Sequence, residues 1–305
     1  MKPTVLTKAL RLTTLFCVWG ASACHGGTES GKLLKIFTQN ENGATHFFVQ
    51  NLQLATVTAT FEMRLENMKA SANFPFTTVL PGNQTSEVFA LTPIKQSAAC
   101  DYSYVRSCLI GSADAVHDDS YIYSLPYASG ASFRVSQGYH GAFSHQGPDE
   151  YAIDWQMPVG TAVHAARDGL VVESEDASNQ GGPSRKYEKY ANRILIQHPD
   201  GTIGIYGHLK MGGNKVKVGD QVKAGDLIGL SGNTGFTYGP HLHFAVFKTK
   251  DGFSRQSLPV RFRSVEDGVL TLVSGRWYKA APVEPAPVAM RHDFRRADTH
   301  LTASN

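Results

Sequence analysis

Glycine divides this chain into two kinds of sequence: 7 of its 29 glycines lie before residue 130, and 22 fall between Gly130 and Gly275. In the glycine-rich part, turn signals recur at Asp168-Gly169, Pro199-Asp200-Gly201, Gly219-Asp220 and Gly225-Asp226, each between short apolar runs such as RILIQH and TIGIYGHL. Short apolar runs closed by such turns make β-hairpins, so residues 126–280 are expected to form an all-β domain. Residues 174–190 (SEDASNQGGPSRKYEKY) break that rhythm with a polar loop long enough to rim a site. From about Gly31 to Ala115 the pattern alternates instead, as in HFFVQNLQLATVTATFEM, FPFTTVLPGNQTSEVFALTPI and CDYSYVRSCLIG. That predicts an antiparallel β-sandwich of immunoglobulin-like size, within a domain bounded at 24–125. It holds no cluster of catalytic residue types, which makes it a binding or spacer unit. After Trp277 the chain turns Pro/Ala-rich without apolar periodicity, and residues 281–305 are expected to be a disordered tail.

Residues 1–23 read as a secretory signal peptide: Lys2, Lys8 and Arg11 precede a short apolar run from Leu12 to Trp19, and Ala21-Ser22-Ala23 supplies small residues before Cys24. Cleavage after Ala23 releases a soluble periplasmic protein. The same tripeptide before Cys24 also resembles a bacterial lipobox, in which Cys24 carries a lipid anchor to the outer membrane. Of the four cysteines, Cys17 leaves with the signal, and Cys100 and Cys108 are close enough in sequence to suggest a disulfide in an oxidising compartment. The chain carries 29 basic and 26 acidic residues. The signal removes three basic residues and no acid, leaving 26 against 26, so a nucleic-acid partner has no electrostatic support. With 42% hydrophobic and 18% charged residues the chain can build cores, and no apolar run reaches the ~18 residues of a membrane-spanning helix.

The chemistry concentrates in the histidines, 7 of 12 of which lie between His140 and His243. His241-Leu242-His243 follows the Gly239-Pro240 turn and opens an apolar strand, HLHFAVF. Residues two apart on a strand share a face, so both imidazoles can reach one metal, or one can bind it while the other moves protons. Asp154, alone between Ile153 and Trp155 in YAIDWQMPVG, needs a partner, since burying an unpaired carboxylate is costly; a metal or an arginine such as Arg167 would serve. His145 lies nine residues earlier, and His208 ends a hairpin strand in IYGHLK. Two His and one Asp with a fourth position open to water make a catalytic zinc site. A structural site would be closed and commonly cysteine-rich, and this domain has no cysteine. The helical HExxH motif is absent.

With those residues assembled, residues 126–275 resemble the lysostaphin-type, or LytM-like, zinc peptidases, in the subgroup with an N-terminal β-domain. The likeness rests on His145…Asp154, AIDWQMPVGTAVHAARDGLVV, GTIGIYGHL and GLSGNTGFTYGPHLHF. The interval from His145 to Asp154, QGPDEYAI, is longer than in many members. The resemblance implies one Zn²⁺ per chain held by His145, Asp154 and His243, with His208 and His241 as unliganded active-site histidines. It implies a LytM-type antiparallel β-sheet fold and hydrolysis of peptide bonds in peptidoglycan stem peptides or cross-links. Two alternatives share the fold: a non-catalytic module that activates another cell-wall hydrolase, and a zinc peptidase with a protein substrate. His140 and Asp149 lie off the motifs and read as surface residues. Gly232, Gly235 and Gly239 would allow tight turns at a cleft wall whose open backbone could pair with an extended peptide.

Overall fold

The computed structural model describes residues 33–283; the signal segment, Cys24 and residues 284–305 lie outside the described residues. Seven strands come first: β1 (Leu34–Glu41), β2 (Ala44–Asn51), β3 (Val57–Glu66), β4 (Met68–Ala70), β5 (Phe76–Leu80), β6 (Thr85–Pro93) and β7 (Asp101–Ile110). They form two antiparallel sheets, β1-β2-β6-β4 and β5-β3-β7. Alternation drives them together: β2 buries Phe47, Val49 and Asn51 in turn, and Phe47 and Val49 join Val57, Phe61, Phe89 and Leu91 in one core. Two layers and seven strands match the immunoglobulin-like sandwich predicted from sequence. The order differs in both sheets: β6 takes the place of β5 between β2 and β4, and β3 takes the central place of β6 in the other sheet.

The disulfide expected between Cys100 and Cys108 does not form; neither cysteine is in a disulfide. Cys108 lies within β7, and Cys100 immediately precedes it. An extended run at ~3.3 Å per residue places their Cα atoms about 26 Å apart, whereas a disulfide needs them within ~7 Å. Closeness in sequence became distance in space because the intervening residues are a strand and not a turn.

The chain then adds β8 (Ile122–Ser124), β9 (Ser132–Gln137), β10 (Ile153–Gln156), β11 (Ala162–His164), β12 (Gly169–Glu175), β13 (Gly181–Gly182), β14 (Arg193–Gln197) and β15 (Ile203–Gly207). After these come β16 (Gln221–Val222), β17 (Leu227–Leu230), β18 (Gly235–Phe236), β19 (His241–Thr249), β20 (Arg255–Leu258), β21 (Arg261–Ser264), β22 (Gly268–Leu270) and β23 (Trp277–Lys279). The main sheet runs β16-β12-β14-β15-β19-β10-β9-β23, with β20 also on β19. One of its faces buries Ile153, Trp155, Ile194, Tyr206, Leu242 and Phe244 in the largest core. Complete burial of side chains this size stabilises by roughly 1.5–3 kcal/mol each. The alternate residues therefore project from the other face.

That second face has two parts. Toward the end of β19, Ala245 and Phe247 join Ile203, Ile205 and Leu195 around Ala55 of the N-terminal unit. Buried polar groups at this junction are satisfied across it: Thr58 Oγ1 lies 2.9 Å from Thr249 Oγ1, and the Gly252 amide donates to Thr60 Oγ1 at 2.9 Å. A β-carbon on Gly252 would meet the Ser107 carbonyl oxygen at 2.3 Å, so only glycine fits this close approach. The N-terminal unit thus sits on the same sheet face that, at the start of β19, carries the histidines.

Candidate metal centre

Strand register assembles the site. Asp154 of β10 lies opposite His243 of β19, and His243 lies opposite Gly207 of β15. Neighbours in such a row point to the same side, so the sheet sets Asp154 and His243 together without help from loops. His243 Nδ1 lies 2.9 Å from Asp154 Oδ1. His145 arrives from outside the sheet. The interval QGPDEYAI folds into a short 3-10 turn, Gly147–Asp149, and Asp149 is pinned by Arg255 at 2.7 Å. The longer spacing is absorbed there, and His145 ends fully buried.

His145 Nδ1–H donates to the Gly138 carbonyl at 2.9 Å. Its Nε2, which makes no hydrogen bond, then presents a bare lone pair 3.1 Å from Asp154 Oδ2. A lone pair facing a carboxylate oxygen in a buried place calls for a cation between them. The ligand atoms of His145, Asp154 and His243 all lie within 4.8 Å of one another. Tetrahedral zinc with bonds of 2.0–2.1 Å separates its ligands by about 3.3 Å, so this donor set fits that ion with small adjustments. Burial works against the Asp154 carboxylate, but the close approach of His145, the hydrogen bond with His243 and the nearby imidazole charges hold it well below the usual range. Burial likewise disfavours His145 as a cation, yet its contact with Asp154 outweighs this and raises its pKa.

The other two histidines flank this trio. His208 follows β15 in the left-handed region, φ 61°, an uncommon and strained conformation for a residue with a side chain. His208 Nδ1–H donates to the Thr234 carbonyl at 2.6 Å, and His241 Nδ1–H to the Gly239 carbonyl at 2.8 Å. Both backbone bonds leave Nε2 as the free atom. The rings stand 4.5 Å apart between centroids, and His241 Nε2 is 3.9 Å from Asp154 Oδ1. Desolvation first, then the charges of His241 and His243, push the His208 pKa down to about 3, so it stays neutral.

The arginine partner considered for Asp154 is engaged elsewhere: Arg167 pairs with Asp200 at 2.7 Å and donates to Tyr123. His140 is exposed, and Asp149 is half-buried in its ion pair. Gly235 adopts φ 81°, and a β-carbon on Gly232 would fall 2.4 Å from the Lys210 amide nitrogen. Gly239 meets neither constraint. The backbone at Gly235–Phe236 is paired in parallel with Gly181–Gly182 of the polar loop, so that side is already occupied. One residue with no sequence signal also belongs to the site. Gln137 of β9 donates from Nε2 to Asp154 Oδ2 at 3.1 Å and to Ser144 Oγ at 2.8 Å. A glutamine before a glycine carries no motif; only its place opposite Asp154 reveals it.

Gln137, Asp154, His208, His241 and His243 line one side of an open groove of about 1270 Å³, which reaches Leu33, Gln53, Leu109 and Ile110 of the N-terminal unit. Residues 148–255, which include Asp154, His208, His241 and His243, match the model of Peptidase family M23. This domain belongs to peptidase family M23. An uncharacterized metalloprotease of Buchnera aphidicola is 39% identical over 117 residues, 38% of this chain and 27% of that protein. The glycyl-glycine endopeptidase ALE-1 of Staphylococcus capitis is 40% identical over 98 residues, 32% of this chain and 24% of its own. The peptidoglycan DD-endopeptidase ShyA of Vibrio cholerae is 40% identical over 91 residues, 30% of this chain and 18% of that protein. The chain thus spans about a quarter or less of the length of these relatives. Among the described residues no helix is long and apolar enough to cross a membrane.

Proposed function

We propose that the chain is an exported zinc metalloendopeptidase that hydrolyses peptide bonds in peptidoglycan stem peptides or cross-links. The observation that carries this reading is the bare His145 Nε2, buried 3.1 Å from Asp154 Oδ2, with His243 Nδ1 2.9 Å from the same carboxylate. Membership of a peptidase family and the relatives' names support the reaction and the substrate class. One Zn²⁺ held by His145, Asp154 and His243 would supply Lewis acidity for polarising a peptide carbonyl and making water more acidic. His208 and His241 divide the remaining work. With Nδ1–H of each fixed by a backbone carbonyl, the Nε2 atoms converge on the site. One accepts the proton of the attacking water and passes it to the leaving amine, and the other steadies the developing oxyanion. Gln137 holds the second oxygen of Asp154 and so fixes the carboxylate's orientation.

In this reading residues 1–23 direct export, Cys24 becomes either a lipid anchor or an ordinary residue of a soluble periplasmic protein, and residues 24–125 form an accessory β-domain. That domain walls the groove, a role supported by the lining residues it contributes. The test is to purify residues 25–280 and the His243→Ala variant, count bound zinc, and follow release of soluble fragments from peptidoglycan. Stoichiometric zinc with cleavage that is lost in the variant and in chelator is the expected result. Neither zinc nor cleavage would overturn the reading.

A further inference from the structure

Four arginines line the groove: Arg134, Arg185, Arg193 and Arg255. Three have carboxylate partners. Arg193 pairs with Glu173, Arg255 with Asp149 at 2.7 Å, and Arg185 with Glu188 at 3.5 Å. Arg134 is exposed, and its Nε–H donates to the Gly275 carbonyl at 3.2 Å. No carboxylate among the described residues lies within 4.0 Å of its guanidinium. The backbone bond steadies the side chain and leaves the terminal NH₂ groups to meet another partner.

Register places this cation on the floor of the site. Arg134 of β9 lies opposite Gln156 of β10, and Gln156 opposite His241 of β19. Val135 and Trp155, the adjacent residues on those strands, are buried in the core beneath, so Arg134 and Gln156 share the histidines' face. Two strand spacings put Arg134 about 10 Å from His241. On the other side, the row through His243 continues to Gly207, Arg193 and Glu175. It ends on Glu175, which is exposed. Arg134 thus stands at the β9 edge of the groove and Glu175 at the β12 edge.

We propose that Arg134 is a specificity-determining residue that binds a free carboxylate of the peptide substrate, on the β9 side of the metal centre. This rests on the peptidase reading above and adds to it a chemical requirement and a direction. A guanidinium offers a carboxylate two parallel hydrogen bonds. Standing on one side of the metal centre, Arg134 favours one orientation of an acidic peptide across the reacting centre. Lysine at this position would keep the charge and lose the paired geometry.

The test uses the zinc-loaded chain and a synthetic wall stem tetrapeptide, L-Ala-γ-D-Glu-diaminopimelyl-D-Ala, in two forms: all carboxylates free, or all converted to carboxamides. Calorimetry gives the ratio of the two Kd values. The expected result is binding about five- to tenfold tighter for the free acid, the scale of a partly exposed charge-assisted pair, with the preference shrinking as salt rises. In Arg134→Gln the ratio should fall to about one, and Arg134→Lys should restore part of it. Equal Kd values in the wild type, or a preference that survives Arg134→Gln, would overturn the inference, because the carboxylate would then be read elsewhere or not at all. Absence of hydrolysis of cross-linked peptidoglycan by the same preparation would sink the peptidase reading separately, since the binding ratio reads Arg134 without turnover.

Discussion

Adding zinc should raise the melting temperature of this chain, and Asp154→Asn should abolish most of the rise. The three ligand atoms already lie within 4.8 Å of one another, so binding needs little rearrangement and favours the folded state almost alone. At free zinc of about 100 times Kd, linkage gives about 2.7 kcal/mol. At roughly 2–4 °C per kcal/mol for a domain of 150–250 residues, the shift is about 5–11 °C. Asparagine keeps the shape of Asp154 but loses the negative charge that faces the bare His145 Nε2, and the shift should drop below about 2 °C. Differential scanning calorimetry after chelation, with stepwise zinc, reads both proteins. Lowering the pH from 7 to 5 should shrink the wild-type shift, because histidine ligands must be deprotonated to bind. A wild-type shift near zero, or one as large in Asp154→Asn, would refute the reasoning.

Gly207 leaves the row between His243 and Arg193 without a side chain, and a β-carbon there would stand only 3.4 Å from His243 Cβ; Gly207→Val should retain zinc yet lower peptidoglycan cleavage at least tenfold, measured as soluble fragment release. His198 is buried with Nδ1 bonded to the Asp168 carbonyl, and desolvation with the nearby Arg167 charge pushes its pKa down to about 3. The unfolded chain protonates it near 6.5, so stability is complete above that pH and declines as pH falls toward 3, by about 2 kcal/mol between pH 6.5 and 5 for this one group. Urea titrations at those two pH values should show a pH dependence shallower by that amount in His198→Gln. Gly252→Ala drives a β-carbon to 2.3 Å from the Ser107 carbonyl oxygen and 2.6 Å from the Thr60 amide nitrogen. It should destabilise the junction by about 1–3 kcal/mol, and unchanged melting and protease resistance would show that the two units are not locked there.

Much of the site was legible because its chemistry is periodic. HLHFAVF states its own strand, and the period of two puts His241 and His243 on one face wherever that strand goes. Asp154, flanked by Ile153 and Trp155, announces a buried carboxylate in need of a cation for the same reason. Gln137, Arg134 and Gly207 were silent, because their roles come from sitting opposite Asp154, Gln156 and His243 on other strands. The cysteine pair misled: sequence separation measures contour length, and contour becomes proximity only where the chain turns.

The sequence by itself indicated an all-β chain, a change from an alternating segment to a glycine-rich one, and five candidate site residues, since each follows from local periodicity, turn chemistry or motif. Only the tertiary structure decided the register that sets Asp154 beside His243, the bare and buried nitrogen of His145, and the docking of the N-terminal sandwich on the same sheet face as the histidines. Those features depend on contacts between residues far apart in the chain, and the free energy of such contacts exists only once the sheets have paired and their cores have closed.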